Sequence, residues 1–320
     1  MLAFAPRSIP RPDAPKPDFI REDAVEYRKL TIVGGGFMGK SLAQKIASCG
    51  IDVCVLEVSQ ERAERGREEL SANLDAELEK WGITTSEKKA MMARVNFTAD
   101  ARSASDSEVL IEAVPEDLTL KQAVLMRMDS LCGPDCVFVT STSTLSVTEI
   151  AAASGRPARV VGMHFMHPVT TSPIVEIVRG RVTAEATFDQ AVHLAKALDK
   201  RVIEVFEYPG YVVTRAILPF INEAIHIVME GVAAAEDVDL AIRLGYEFKM
   251  GPLEYADRVG LDTVLGWMEH LFRELGDFKY RPCPLLRKMV RAGHLGRKAG
   301  RGFFAWDGNT RVVSEREAAR

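Results

Sequence analysis

The stretch Lys29-Leu30-Thr31-Ile32-Val33-Gly34-Gly35-Gly36-Phe37-Met38-Gly39 constrains this chain more than any other. A short apolar run breaks into glycines, and a helix-compatible segment, Lys40 to Cys49, follows. Read physically, this is a buried strand, a tight turn and the start of a helix. Gly34 permits the turn, Gly36 lets the backbone approach a pyrophosphate, and Gly39 lets helix and strand pack closely. The free N–H groups and positive dipole end of that helix then face the phosphates. Glycines also occur in ordinary turns, so the motif needs its context. The next apolar run, Val53-Cys54-Val55-Leu56, ends on Glu57, about 20 residues past the motif, where a ribose-binding acid belongs. Glu57 accepts hydrogen bonds from a ribose diol and repels a 2′-phosphate, so NAD is expected rather than NADP.

Composition removes several other classes of function. The net charge of -4 provides no basic field for nucleic acid or an anionic membrane. No apolar run approaches the ~20 residues needed to span a bilayer. Pro6, Arg7 and Pro10 interrupt any signal-peptide core. Five cysteines without a repeated spacing do not suggest a disulfide framework, and Cys132 and Cys136 have no matching pair for zinc. Reduced thiols in a cytoplasmic enzyme are the expectation. The length of 320 residues allows two domains.

Residues 1–27 carry Pro6, Pro10, Pro12, Pro15 and Pro17 among charges and read as a disordered extension. Residues 28–207 alternate strand and helix signals, which implies a doubly wound α/β domain. After Glu57 a charged helix runs from Gln60 to Trp81 with Leu70, Leu74 and Leu78 on one stripe. A returning helix follows, with Ser86 as its cap. Strands are expected at 95–98, 109–114, 136–140, 159–163, 174–178 and 202–205. Pro115-Glu116-Asp117 is expected to start a helix, Ser146 to Glu149 to form a capping box, and Thr187 to Gln190 to cap another helix. Tyr208-Pro209-Gly210 is the hinge. Beyond it, residues 208–307 show only helical periods, and so apolar a helical domain is expected to share core with a second copy of the chain. Residues 308–320 are polar and expected to fray.

In open α/β sheets, ligands sit at the carboxyl ends of the strands. That edge collects Gly34 to Gly39, Glu57, Val114 to Asp117, Ser141 to Thr144 and His164. Glu176 lies on the strand after His164, where it can face the histidine. A carboxylate partner holds a histidine in one tautomer, which suits a general base for hydroxyl oxidation. Ser143 can hydrogen-bond the same substrate oxygen. By position alone His164 reads equally as a satisfied core histidine, and Ser143 as part of a hydroxyl-rich turn. His164 and His167 need a helix to share a metal, and Pro168 argues against one, so no metal is expected.

At this point the sequence resembles the 3-hydroxyacyl-CoA dehydrogenases, including bacterial 3-hydroxybutyryl-CoA dehydrogenases, over about residues 29–306. The resemblance rests on Gly34 to Gly39 with Met38, Glu112-Ala113-Val114-Pro115-Glu116-Asp117-Leu118, Ser143-Thr144-Leu145-Ser146, His164-Phe165 and Val175-Glu176. It continues through Pro209-Gly210-Tyr211-Val212, Gly251-Pro252-Leu253-Glu254, Gly260-Leu261-Asp262 and Lys298 to Phe304. Several motifs in the right order are far more specific than one. The resemblance implies a Rossmann-type doubly wound sheet followed by an all-helical C-terminal domain that forms a homodimer. It implies reversible oxidation of a (3S)-3-hydroxyacyl-CoA to the 3-oxoacyl-CoA with NAD. His164 would be the base, Glu176 its partner, and Ser143 a contact to substrate and cofactor. Phe37 and Met38 lie in the cofactor loop; Glu57, Glu116, Lys121, Ser141, His167 and Lys298 would also contact the cofactor. Lys80, with Asn73 where a serine is usual, would contact CoA.

The departures bear on substrate. Ser141, His167 and Thr214 stand where the family usually has asparagine, and a common lysine is replaced around Pro173. The positions of His167 and Thr214 normally help place nicotinamide and substrate. Threonine keeps a hydroxyl donor but loses an amide's reach and second donor. An active enzyme with altered substrate recognition is therefore expected. The alternatives are a relative acting on a free hydroxy acid (gulonate- or carnitine-like), one acting on a carrier-protein thioester, and a non-catalytic NAD-binding relative.

Overall fold

The computed structural model describes residues 27–313 apart from Trp81. Residues 1–26 of the extension read over 1–27, and the chain end 314–320, lie outside the described residues, whereas Tyr27 is buried in the fold.

Six strands run parallel: β1 (Lys29–Val33), β2 (Asp52–Leu56), β3 (Val95–Thr98), β4 (Val109–Glu112), β5 (Val137–Thr140) and β6 (Val160–Phe165). Then β7 (Ile174–Arg179) runs antiparallel to β6, and β8 (Arg201–Phe206) parallel to β7. Their spatial order is β3-β2-β1-β4-β5-β6-β7-β8. The order reverses between β1 and β4, the crevice where such sheets bind ligands. The turn of direction at β7 follows from its connection. Residues 166–173 contain no helix, and a parallel return needs a crossover of about a dozen residues or more.

One face of the sheet is covered by α1 (Phe37–Ser48), α2 (Gln60–Glu79), α3 (Thr85–Arg94) and α6 (Glu185–Ala197), around Leu30, Ile32, Leu42, Leu70, Leu74 and Leu194. The other carries α4 (Leu118–Asp129) and α5 (Val147–Ala152), around Leu110, Leu125, Phe138 and Ile150. Cover on both faces explains why β4 and β5 are apolar nearly throughout. A third core is made by α7 (Val213–Met229), α8 (Ala235–Gly245), α9 (Pro252–Val259), α10 (Leu261–Leu275) and α11 (Pro284–Arg291). This is the Rossmann-type sheet and helical C-terminal domain that the sequence predicts.

Several local expectations are corrected. Thr84, not Ser86, caps α3: its hydroxyl accepts from Glu87 N–H while the Glu87 carboxylate accepts from Thr84 N–H. Helix α1 begins at Phe37 rather than Lys40, directly after Gly36. Helix α4 starts only at Leu118, with the Asp117 carboxylate accepting from Leu120 N–H. Thr187 does not cap α6, which begins at Glu185; its hydroxyl donates to Ala158 O instead. Of the segment read as fraying, 308–320, the described residues 308–313 do not simply fray. Short strands β9 (Trp306–Asp307) and β10 (Thr310–Arg311) form a hairpin. It is anchored by buried Asp257, which accepts from Phe303 N–H, Phe304 N–H and Trp306 Nε1–H.

Candidate active site

The glycine loop takes its shape from close contacts that a side chain would break. Gly34 has φ 102°, and a Cβ there would lie 2.9 Å from Ala113 O. A Cβ on Gly39 would come within 1.9 Å of Gly34 O, so only glycine lets α1 start this close to β1. Gly36, in contrast, faces open space. Beside the loop lies a cavity of about 580 Å³, lined by Gly34 to Gly36, Glu57, Val114, Leu120, Val124 and Met128. Glu57 accepts from Gly35 N–H at 2.8 Å and Val58 N–H at 3.2 Å, which fixes its carboxylate at the tip of β2. An apolar slot, an open backbone cradle at a helix N-terminus and an acid at the next strand's tip fit an NAD adenosine and pyrophosphate.

Beneath the neighbouring loops is a fully buried ion pair. Lys121 Nζ lies 2.9 and 3.0 Å from the Glu112 carboxylate oxygens and also donates to Val114 O and Ser141 O. Burial pushes the Glu112 pKa up, while Lys121 and Thr140 oppose that shift. Lys121 has no accessible surface, so its expected contact with a cofactor gives way to a different place, under the loops. Glu116 above it accepts from Ser143 N–H, Thr144 N–H and the hydroxyls of Thr142 and Thr144. That carboxylate shapes the turn that presents Ser143 and Ser141.

The antiparallel register sets His164 opposite Glu176. His164 Nδ1 lies 2.5 Å from Glu176 Oε2, inside the protein. The other carboxylate oxygen accepts from Val212 N–H at 2.9 Å and Val213 N–H at 3.0 Å, at the start of α7. Buried Thr214 follows directly. These backbone donors were invisible in the sequence, because no side-chain type signals them. Tyr211, whose ring centroid lies 5.6 Å from that of His164, was also missed as a site residue.

His167 lies against Phe37 with ring centroids 4.0 Å apart and the planes tilted by 43°, which brings the loop after β6 against the start of α1. Met38 is half-buried beside it against the sheet core. Burial and the charge of Arg297 push the His167 pKa down to about 4. Lys298, next to Arg297, is held by Asp262 at 2.6 Å. Asn73 and Lys80 are exposed on α2 and at its C-cap, two helical turns apart and so on one face.

Comparison with known proteins agrees with this geometry. The profile of the 3-hydroxyacyl-CoA dehydrogenase NAD-binding domain matches residues 29–208, and that of the family's C-terminal domain matches 210–306. The chain is 42% identical to a probable 3-hydroxybutyryl-CoA dehydrogenase of Bacillus subtilis, covering 89% of this chain and 100% of the relative. It is 41% identical to a 3-hydroxybutyryl-CoA dehydrogenase of Clostridioides difficile, covering 87% and 99%. Its fold is similar to the crystal structure of an (S)-3-hydroxybutyryl-CoA dehydrogenase from Ralstonia eutropha, with TM-score 0.81, 37% identity and coverage of 88% and 100%. With the NAD cradle and both domains matched in order, the chain belongs to the 3-hydroxyacyl-CoA dehydrogenase family of NAD-dependent oxidoreductases.

Proposed function

We propose that this enzyme interconverts a (3S)-3-hydroxyacyl-CoA and the 3-oxoacyl-CoA with NAD, on short acyl chains such as the 3-hydroxybutyryl group named in its relatives. The observation that carries the reading is the His164–Glu176 pair at the carboxyl edge of the sheet. Glu176 accepts a hydrogen bond from Nδ1–H and leaves Nε2, with its free lone pair, as the atom that takes a proton from the C3 hydroxyl. The two amides on Glu176 keep its second oxygen from rotating away. Ser143 directs the reacting oxygen, and Glu116 holds the loop that presents it. Bound NAD supplies the acceptor for the C3 hydride. Glu57 and the Gly34–Gly39 loop hold the adenosine half, with His167 and Lys298 toward the other end. Asn73 and Lys80 line the approach for CoA, and Ser141 and Thr214 complete the surroundings of cofactor and substrate.

The test follows NADH consumption with acetoacetyl-CoA, a longer 3-oxoacyl-CoA and a free 3-oxo acid. Turnover confined to the thioesters supports the reading. Turnover only on the free acid replaces it with the hydroxy-acid alternative. His164→Ala is expected to lower kcat by about 100-fold or more while NADH still binds.

A homodimer forms part of the proposal. Val232, Leu240, Leu244, Tyr246 and Phe248 are exposed on the helical domain, and Phe248 packs edge-on to Phe220. A patch of this kind fits a second copy of the same surface.

A further inference from the structure

We propose that Tyr211 is a positioning residue that couples the His164–Glu176 pair to the loop carrying Ser143. The inference rests on the roles proposed above for those residues.

Tyr211 has φ 50°, in the left-handed region that bulky side chains avoid. It follows Gly210 at φ 79°, where a Cβ would lie 2.8 Å from the Leu271 side chain. This double reversal aims the next two amides, Val212 and Val213, at Glu176 Oε1. The Tyr211 ring lies against His164, tilted by 57°. Its hydroxyl donates to Leu145 O at 2.8 Å, inside the protein. Leu145 closes the turn in which Ser143 and Thr144 donate to Glu116. From the helical domain, His270 Nε2–H also donates to the same turn, at Thr144 O, 3.1 Å away.

One residue therefore meets both halves of the site. Its ring and backbone set the proton acceptor, and its hydroxyl sets the turn for the substrate oxygen. A group that only filled space here would need neither the hydroxyl bond nor the left-handed backbone. Buried in the sheet's second core just before α7, Tyr211 fixes the His164–Glu176 pair and the Ser143 turn relative to each other. Placement errors of about 1 Å at such groups cost rate rather than binding.

Tyr211→Phe keeps the ring and removes the hydroxyl. The expected result is a fall in kcat of about tenfold, with NADH affinity and the KM for NAD changed less than about twofold. In a Ser143→Ala background the same substitution is expected to change kcat by less than about twofold, because the loop it aims no longer carries the hydroxyl. Equal factors in both backgrounds overturn the proposal, as does an unchanged kcat in the single variant. A parallel loss of melting temperature, NADH affinity and kcat assigns Tyr211 a structural role only and also overturns it. If Ser143→Ala and His164→Ala themselves leave turnover unchanged, the functional reading fails, and this inference with it.

Discussion

His167 lies with its ring against Phe37 and within the field of Arg297; partial desolvation of the ring and the Arg297 charge both oppose a charge on it. With its pKa pushed down to about 4 in the fold, the unfolded chain takes up the proton first as pH falls. The neutral ring's contribution to stability is therefore complete above about pH 6.5 and is lost progressively toward pH 4. Urea midpoints measured near pH 7 and near pH 5 should fall further for the wild type than for His167→Asn. An equal fall would show that the ring is not held neutral. The glycine loop, Glu57, Ser141, Ser143 and His164 could be placed on one edge of the sheet because each lies at the end of an apolar strand or just after one. What the side chains do to each other was less legible. Lys121 carries the charge of a cofactor ligand, yet its nearest acid, Glu112, sits inside an apolar run and draws it under the loops.

Strands and helices of the sheet domain were legible because burial on two faces writes continuous apolar runs and one face writes stripes. Their ends were not, since a cap depends on which hydroxyl reaches a free N–H. Thr84 and Ser86 flank the same helix start, and only Thr84 precedes Glu87 by the spacing that lets both bonds form. The hairpin of β9 and β10 was missed for a different reason. Its strands are only two residues each, too short to write a period, and its order comes from Asp257 on α9. Asp257→Ala leaves three donors without their acceptor, two of them buried, and a buried orphan costs about 1–3 kcal/mol. The variant should lose roughly 3 kcal/mol or more in chemical denaturation. Trp306 fluorescence should move to longer wavelength as the indole meets water; an unmoved emission would place the anchor elsewhere.

The two domains meet where the sheet's last strands hand over to α7, and the junction holds the Glu176 amides, Tyr211 and the Ser143 turn together. Within the sheet domain, Glu207, just after β8, ties the end of the last strand to α5 by accepting from Thr148 N–H at 3.0 Å. The helical domain is thus part of the site as well as the proposed interface. Tyr246 and Phe248 are exposed on the apolar patch, with ring centroids 6.4 Å apart. Glutamate at both positions should convert a dimer to monomers in sedimentation velocity, because two buried like charges would face their copies. A wild type that sediments as a monomer at micromolar concentration would remove the dimer from the proposal.

By itself the sequence determined the class of fold and the cofactor. Glycine spacing, apolar periodicity and an acid at a strand end are local patterns, and local patterns survive in one dimension. It also put His164 and Glu176 forward as a pair, because strands consecutive in the chain more often than not neighbour each other in the sheet. Only the tertiary structure decided that β7 runs antiparallel and sets the two in register, and that two backbone amides from another domain hold the carboxylate. It likewise turned Lys121 inward and placed Tyr211 between the two halves of the site. These are contacts between residues far apart in the chain, and their partners are set by packing that no single stretch contains.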